Sequence, residues 1–296
     1  MDEAPINEYQ ALMVGAFFAI ITSLTAWKRG FYQFPLMRYP DHATLRFGEV
    51  FGAFLVFLTI ALLITPFFSF IWISWQAGHF IDLNAVHFNV EVRGWLSVVS
   101  ILMTVVGMGG YFVLLPSRAR HAVWGPASFQ GIKRILNDVF FGAMTWLVCY
   151  PLVMVMSQAC RMIITWGFHP ERHEQTAVQH LKMMSDYPWL FAVMAIFLVM
   201  VVPIIEEILF RGFLQRWLKQ KLGFKWALLL TAALFAAFHY SDSQGFDNVE
   251  LLASLFLLAC FLGYVYERQQ SLWASISLHA VFNAISVIAI ITGKNI

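Results

Sequence analysis

Charge is what this sequence has least of. Only 12% of its 296 residues are Asp, Glu, Lys or Arg, about half the share of a soluble domain. Such a chain cannot cover a solvated surface. With 60% hydrophobic residues and a mean hydropathy of +0.69, it reads as a polytopic membrane protein whose first partner is the lipid bilayer. A net charge of +2 offers no basic face for nucleic acid, which is therefore not an expected partner.

Other absences narrow the field. The three cysteines, Cys149, Cys160 and Cys260, sit in apolar segments without metal-type spacing, so they read as small buried hydrophobes. The first ten residues carry Asp2, Glu3 and Glu8 but no Lys or Arg. They lack the basic start of a secretory signal, and Leu12 to Trp27 is expected to be a retained span. No H-E-x-x-H occurs, so the common zinc-protease helix is missing. No internal repeat supports a transporter built from inverted halves. No low-complexity linker divides the chain, and residues 1–296 are expected to form one integral membrane domain.

What is present is a series of apolar runs. Eight are long enough to approach a hydrocarbon core of about 30 Å: residues 11–27, 50–76, 95–115, 138–166, 189–218, 226–240, 250–266 and 272–291. None alternates with period two, so the expected fold is all-α, about eight transmembrane helices with the active site inside the bundle. Basic residues concentrate in the odd-numbered connections, including Lys28, Arg29, Arg118, Lys133, Lys219, Lys221 and Arg268. That asymmetry predicts both termini outside the cytoplasm. A bacterial plasma membrane is the expected location. The polar loop from Gly167 to Pro188 predicts a short helix on the outer face. His169, His173, Glu174 and His180 in it read as a solvated face more readily than a metal site.

Charges inside an apolar span are costly and point to function by default. Here Glu206, Glu207 and Arg211 fall within one. Glu207 and Arg211 are four apart in the favourable order for an ion pair on one helix face. Glu206 lies about 100° around the helix from Glu207 and is left free to act as a general base. Pro203 cannot donate to the carbonyl of Val199 and loosens the helix just before the pair. Glu206 lies 13 residues before Lys219 and His239 lies 13 after Trp226. An antiparallel pair of helices therefore puts both about 20 Å from the intervening turn near Leu222-Gly223. In the last span His279 and Asn283 share a face and suit hydrogen bonding to a developing oxyanion. The same side chains, Glu206, His239 and His279, could instead ligate a catalytic zinc. Asn283 is a poor zinc ligand, so the expectation is no cofactor, with zinc as the alternative.

Together, Glu206-Glu207…Arg211, Phe235…His239 and His279…Asn283, in this order on late spans, resemble the type II CAAX prenyl endopeptidase family. It is also called CPBP, for CAAX proteases and bacteriocin-processing enzymes. The resemblance covers roughly residues 190–291, the expected catalytic core; the first four spans carry no matching motif. It implies an intramembrane peptidase acting on a membrane-tethered protein or peptide, including lipidated ones. Glu206 and His239 would activate water and His279 and Asn283 would stabilise the oxyanion, while Glu207, Arg211 and Phe235 would shape the site. A different class, a non-catalytic immunity or binding protein on the same scaffold, predicts a biological effect that survives loss of these residues.

Overall fold

The computed structural model describes residues 8–34, 44–78, 89–168 and 176–293. Among them there is helix and no strand. Seven helices are long and apolar enough to cross a membrane. In chain order the elements are α1 (Glu8–Lys28), α2 (Phe47–Ala77), α3 (Val90–Leu114), α4 (Ser117–Trp124) and α5 (Ile132–Phe168), followed by α6 (Thr176–Met183), α7 (Pro188–Ala237), α8 (Asp247–Gln269) and α9 (Leu272–Ile291). The short α4 and α6 are not spans. Local chemistry sets several ends: the Asn89 side chain accepts from the Glu91 N–H at the start of α3, and Gly78 closes α2 in the left-handed region at φ 71°.

Among the seven, α7 is a 50-residue stretch that holds two of the eight expected spans, 189–218 and 226–240, so the expectation of about eight stands. A straight helix of that length would be about 75 Å long, more than twice the hydrocarbon core. It is not straight. Gly223 breaks it at φ 75°, ψ 172°, a conformation essentially confined to glycine. Residues 188–222 (α7a) and 224–237 (α7b) then fold back on each other, and the Phe210 and Phe235 rings meet edge to face at 5.1 Å. The break falls where the Leu222-Gly223 turn is expected.

The helix carrying the carboxylates is irregular. Two π-helical stretches, Phe197–Val201 and Ile208–Gln215, flank a short α-helical piece, Val202–Glu207. Such stretches occur often at functional sites. Around them lies a core of Leu209, Phe213, Phe235 and Leu272, all fully buried.

The first half of the chain holds the second in place. Gly142 of α5 touches α9 so closely that a Cβ there would collide with the Ala274 carbonyl oxygen. Gly212 of α7a meets Val123 of α4, where an added Cβ would lie 2.6 Å from Val123 Cγ1. The segment after α4 grips the turn between α8 and α9. Ala127 N–H donates to Gln270 O (3.0 Å), Ser128 Oγ donates to Ser271 Oγ (3.1 Å) and accepts from Leu272 N–H (3.3 Å), and Arg134 Nη2 donates to Gln269 O (2.9 Å). Gln270 holds a left-handed conformation, φ 54°, that costs a residue with a Cβ some strain.

Candidate active site

The fold-back of α7 and the placement of α9 bring Glu206, His239 and His279 together. Glu206 Oε1 lies 4.0 Å from His239 Nε2 and Glu206 Oε2 lies 3.7 Å from His279 Nε2. Both are longer than a direct hydrogen bond and short enough for one water to touch both groups of a pair. The Glu206 side chain is 20% exposed and that of His239 33%. Glu207, one residue on, is fully buried.

The other nitrogen of each histidine fixes its ring. His239 Nδ1 lies 2.8 Å from the Phe235 carbonyl oxygen. A carbonyl can only accept, so Nδ1 carries the proton and Nε2 presents a lone pair towards Glu206 in the neutral ring. His279 Nδ1 lies 2.9 Å from Glu207 Oε1, and a carboxylate there sets the same tautomer. The two rings thus look alike from Glu206 but rest on different supports, a neutral carbonyl and an anion.

Glu207 is itself held by Arg211, whose Nη1 lies 2.8 Å from the same Oε1. Arg211 is completely buried; its Nη2 donates to the Ala259 carbonyl oxygen of α8 (3.2 Å), and its Cζ stands 4.5 Å over the Phe235 ring. A buried charge is tolerated only when paired and hydrogen-bonded in this way. Phe235, also fully buried, is the hub of the motif residues. Besides Arg211 it packs against His239 with centroids 4.8 Å apart and edge to face against His279 at 5.8 Å.

Asn283 is occupied differently from the sequence reading. Its Nδ2 donates to the Leu198 carbonyl oxygen at 2.8 Å, tying α9 to the first π-helical stretch. One N–H of the amide remains for another acceptor.

Two tetrahedral zinc ligands at about 2.0–2.1 Å would stand roughly 3.3 Å apart. The separations at Glu206 exceed that, and among the described residues no set of three His, Cys, Asp or Glu side chains has the geometry of a metal site. Glu206, His239 and His279 as placed are not such a set. Of the outer-loop candidates, His169, His173, Glu174 and the His180 side chain lie outside the described residues. Elsewhere, Arg161 pairs with Glu250 at 2.8 Å. In α3, Gly107 packs against Ile60, whereas Gly109 and Gly110 face open space.

Sequence reasoning missed four participants. Three are backbone carbonyls, those of Leu198, Phe235 and Ala259, which leave no mark in a side-chain pattern. The fourth, Gln215, had a signal: it lies four residues past Arg211 on the same face. Its Nε2 donates to the Gly263 carbonyl oxygen at 3.0 Å.

No curated protein and no solved structure matches this chain. A family model does match: Rce1-like, type II CAAX prenyl endopeptidase, over residues 188–285. That stretch is roughly a third of the chain and contains the carboxylate pair, the arginine, both histidines, Phe235 and Asn283. From α7 through most of α9, therefore, this membrane protein is similar to the type II CAAX prenyl endopeptidase (Rce1-like) family.

Proposed function

We propose that the protein is an intramembrane endopeptidase that cleaves a membrane-associated protein or peptide with water activated by Glu206 and His239. The observation that carries this reading is the division between the two adjacent carboxylates. Glu207 is sealed and neutralised by Arg211, while Glu206 stands partly open between two imidazole nitrogens.

The chemistry follows from the supports. A water between Glu206 and His239 Nε2 gives a proton to the Glu206 carboxylate, with His239 as the second acceptor that orients it. The oxygen attacks the scissile carbonyl carbon, and the carbonyl oxygen takes up negative charge. His279 and the free N–H of Asn283 donate to that oxyanion. His279 can donate through Nε2 only as imidazolium, because its Nδ1–H is already committed to Glu207; with Arg211 neutralising Glu207, that positive charge is left to face Glu206 and the oxyanion. On collapse, the departing nitrogen takes the proton from Glu206, and the second proton of the attacking water passes through His239 to the same nitrogen, leaving a carboxylate and an ammonium group as products. The remaining site residues act indirectly: Arg211 holds Glu207, and Phe235 packs Arg211 and both rings.

A membrane-tethered peptide is the substrate class, and a prenylated C-terminal peptide is the first to test, by analogy with the family's name. The basic-residue asymmetry supports both termini lying outside the cytoplasm. A reporter fused to either end should be active only in the outer compartment, and cytoplasmic activity would reverse the topology. The decisive experiment for the reaction is Glu206→Gln, which keeps the shape and removes the base. Cleavage of the tethered peptide should fall at least a hundredfold, as for loss of a general base, with unchanged folding in detergent. Wild-type activity in Glu206→Gln would refute the assignment.

A further inference from the structure

Three hydrogen bonds between α7a and α8 repeat with a single offset. Arg211 Nη2 donates to Ala259 O (3.2 Å), Gln215 Nε2 to Gly263 O (3.0 Å) and Lys219 Nζ to Glu267 Oε2 (2.6 Å). Each acceptor residue lies 48 positions after its donor. The two helices therefore run parallel here and advance four residues per rung on both sides.

This ladder reaches from the Lys219 end of α7a up to the site. Its top rung is the guanidinium that holds Glu207, and Glu207 holds His279. A slip of one residue between α7a and α8 would break all three rungs together. The middle rung is fitted tightly. Gln215 is 1% exposed, and a Cβ on Gly263 would collide with Gln215 Oε1. Buried in this way, the bond does not compete with water. The lowest rung joins a partly exposed lysine to a glutamate whose side chain is 6% exposed. None of Gln215, Lys219 or Glu267 can reach the reacting atoms, because each is already committed to its partner two or three turns away from Glu206.

Resting on the endopeptidase reading above, we propose that Gln215 and Lys219 are positioning residues. They set the register of the carboxylate helix against α8, and Arg211 and Glu207 pass that register to the His279 ring. Such an effect falls on the chemical step, because small misplacements of a catalytic group lower the rate without weakening substrate binding.

Two readouts test the ladder, both on the full-length protein in detergent or liposomes. In peptide cleavage, kcat should fall about tenfold in Gln215→Leu and about threefold in Lys219→Met, with KM within about twofold of wild type. Lys219→Arg, which restores the cation, should recover wild-type kcat. In NMR of protein with ¹⁵N-labelled histidine, the His279 Nδ1–H resonance is assigned by its loss in His279→Gln. It should persist in wild type and Lys219→Arg and weaken in Gln215→Leu. Unchanged kcat and an unchanged resonance in Gln215→Leu and Lys219→Met would overturn the proposal and leave the endopeptidase reading standing. A resonance that follows the ladder in a protein that cleaves no peptide would support the ladder and overturn the endopeptidase reading.

Discussion

Asn283 donates to the carbonyl oxygen of Leu198, 85 residues earlier, at 2.8 Å. The reason lies in Pro203. Within the π-helical stretch the Val202 N–H reaches back five residues to Phe197 O. In that register the next donor would serve Leu198, and it is a proline without an N–H. Asn283 supplies the missing donor from α9. Removing it by Asn283→Ala should cost about 1 kcal/mol of stability, as for a carbonyl left unsatisfied at a part-buried position, and should also slow cleavage. Adding Pro203→Ala should recover part of the stability, because the new N–H can serve Leu198, without recovering the rate. Thermal unfolding in detergent beside kcat separates the two effects.

Arg211 compensates Glu207 where neither is exposed. Arg211→Met would leave a buried carboxylate facing only His279, a loss of about 3–5 kcal/mol by analogy with other broken buried pairs. Arg211→Lys keeps the charge but not the fork that reaches Glu207 and Ala259 together, so its melting temperature should fall between the two. Equal melting temperatures for all three proteins would show that the pair is not what holds α7a, α8 and α9 together.

Zinc participation has a direct readout. With Glu206 as base, a strong chelator should leave peptide cleavage unchanged after prolonged incubation. Inhibition that added zinc reverses would establish a metal-assisted reaction.

Gly142 lies outside the family match but against the backbone of α9. Gly142→Ala forces α5 and α9 apart at Ala274, at a cost of about 1–3 kcal/mol for overpacking. His279 lies little more than a turn beyond Ala274, so the rate of peptide cleavage should fall as well. A wild-type rate with a lowered melting temperature would limit this contact to stability.

The spans were legible in the sequence because apolar runs bounded by basic residues are strong signals. Even the fold-back at Leu222-Gly223 was, since a glycine between two apolar runs is the natural place to turn. The approach of Glu206 to His239 was anticipated by counting residues from that turn at a uniform helical rise. Yet α7a is not uniform. Its π-helical stretches have no signature in windows of five to eight residues, where local packing decides the register. For the same reason the carbonyl that Pro203 leaves short of a donor proved to be Leu198 and not Val199. Asn283 could be seen as a polar residue sharing a face with His279, but its partner is a carbonyl created by that irregularity.

The grip of Ser128 and Arg134 on the turn at Gln270 bears on how such a protein could arise or be dissected. A fragment starting at Pro188 would retain every motif residue and lose the hydrogen bonds that hold the base of α9, together with the α5 surface it packs against. The family-matched third is therefore not a transplantable module. Any recombination that moved it to another membrane protein would have to bring along a helix with a gap where Gly142 stands, and a loop able to hold Gln270 in its left-handed turn.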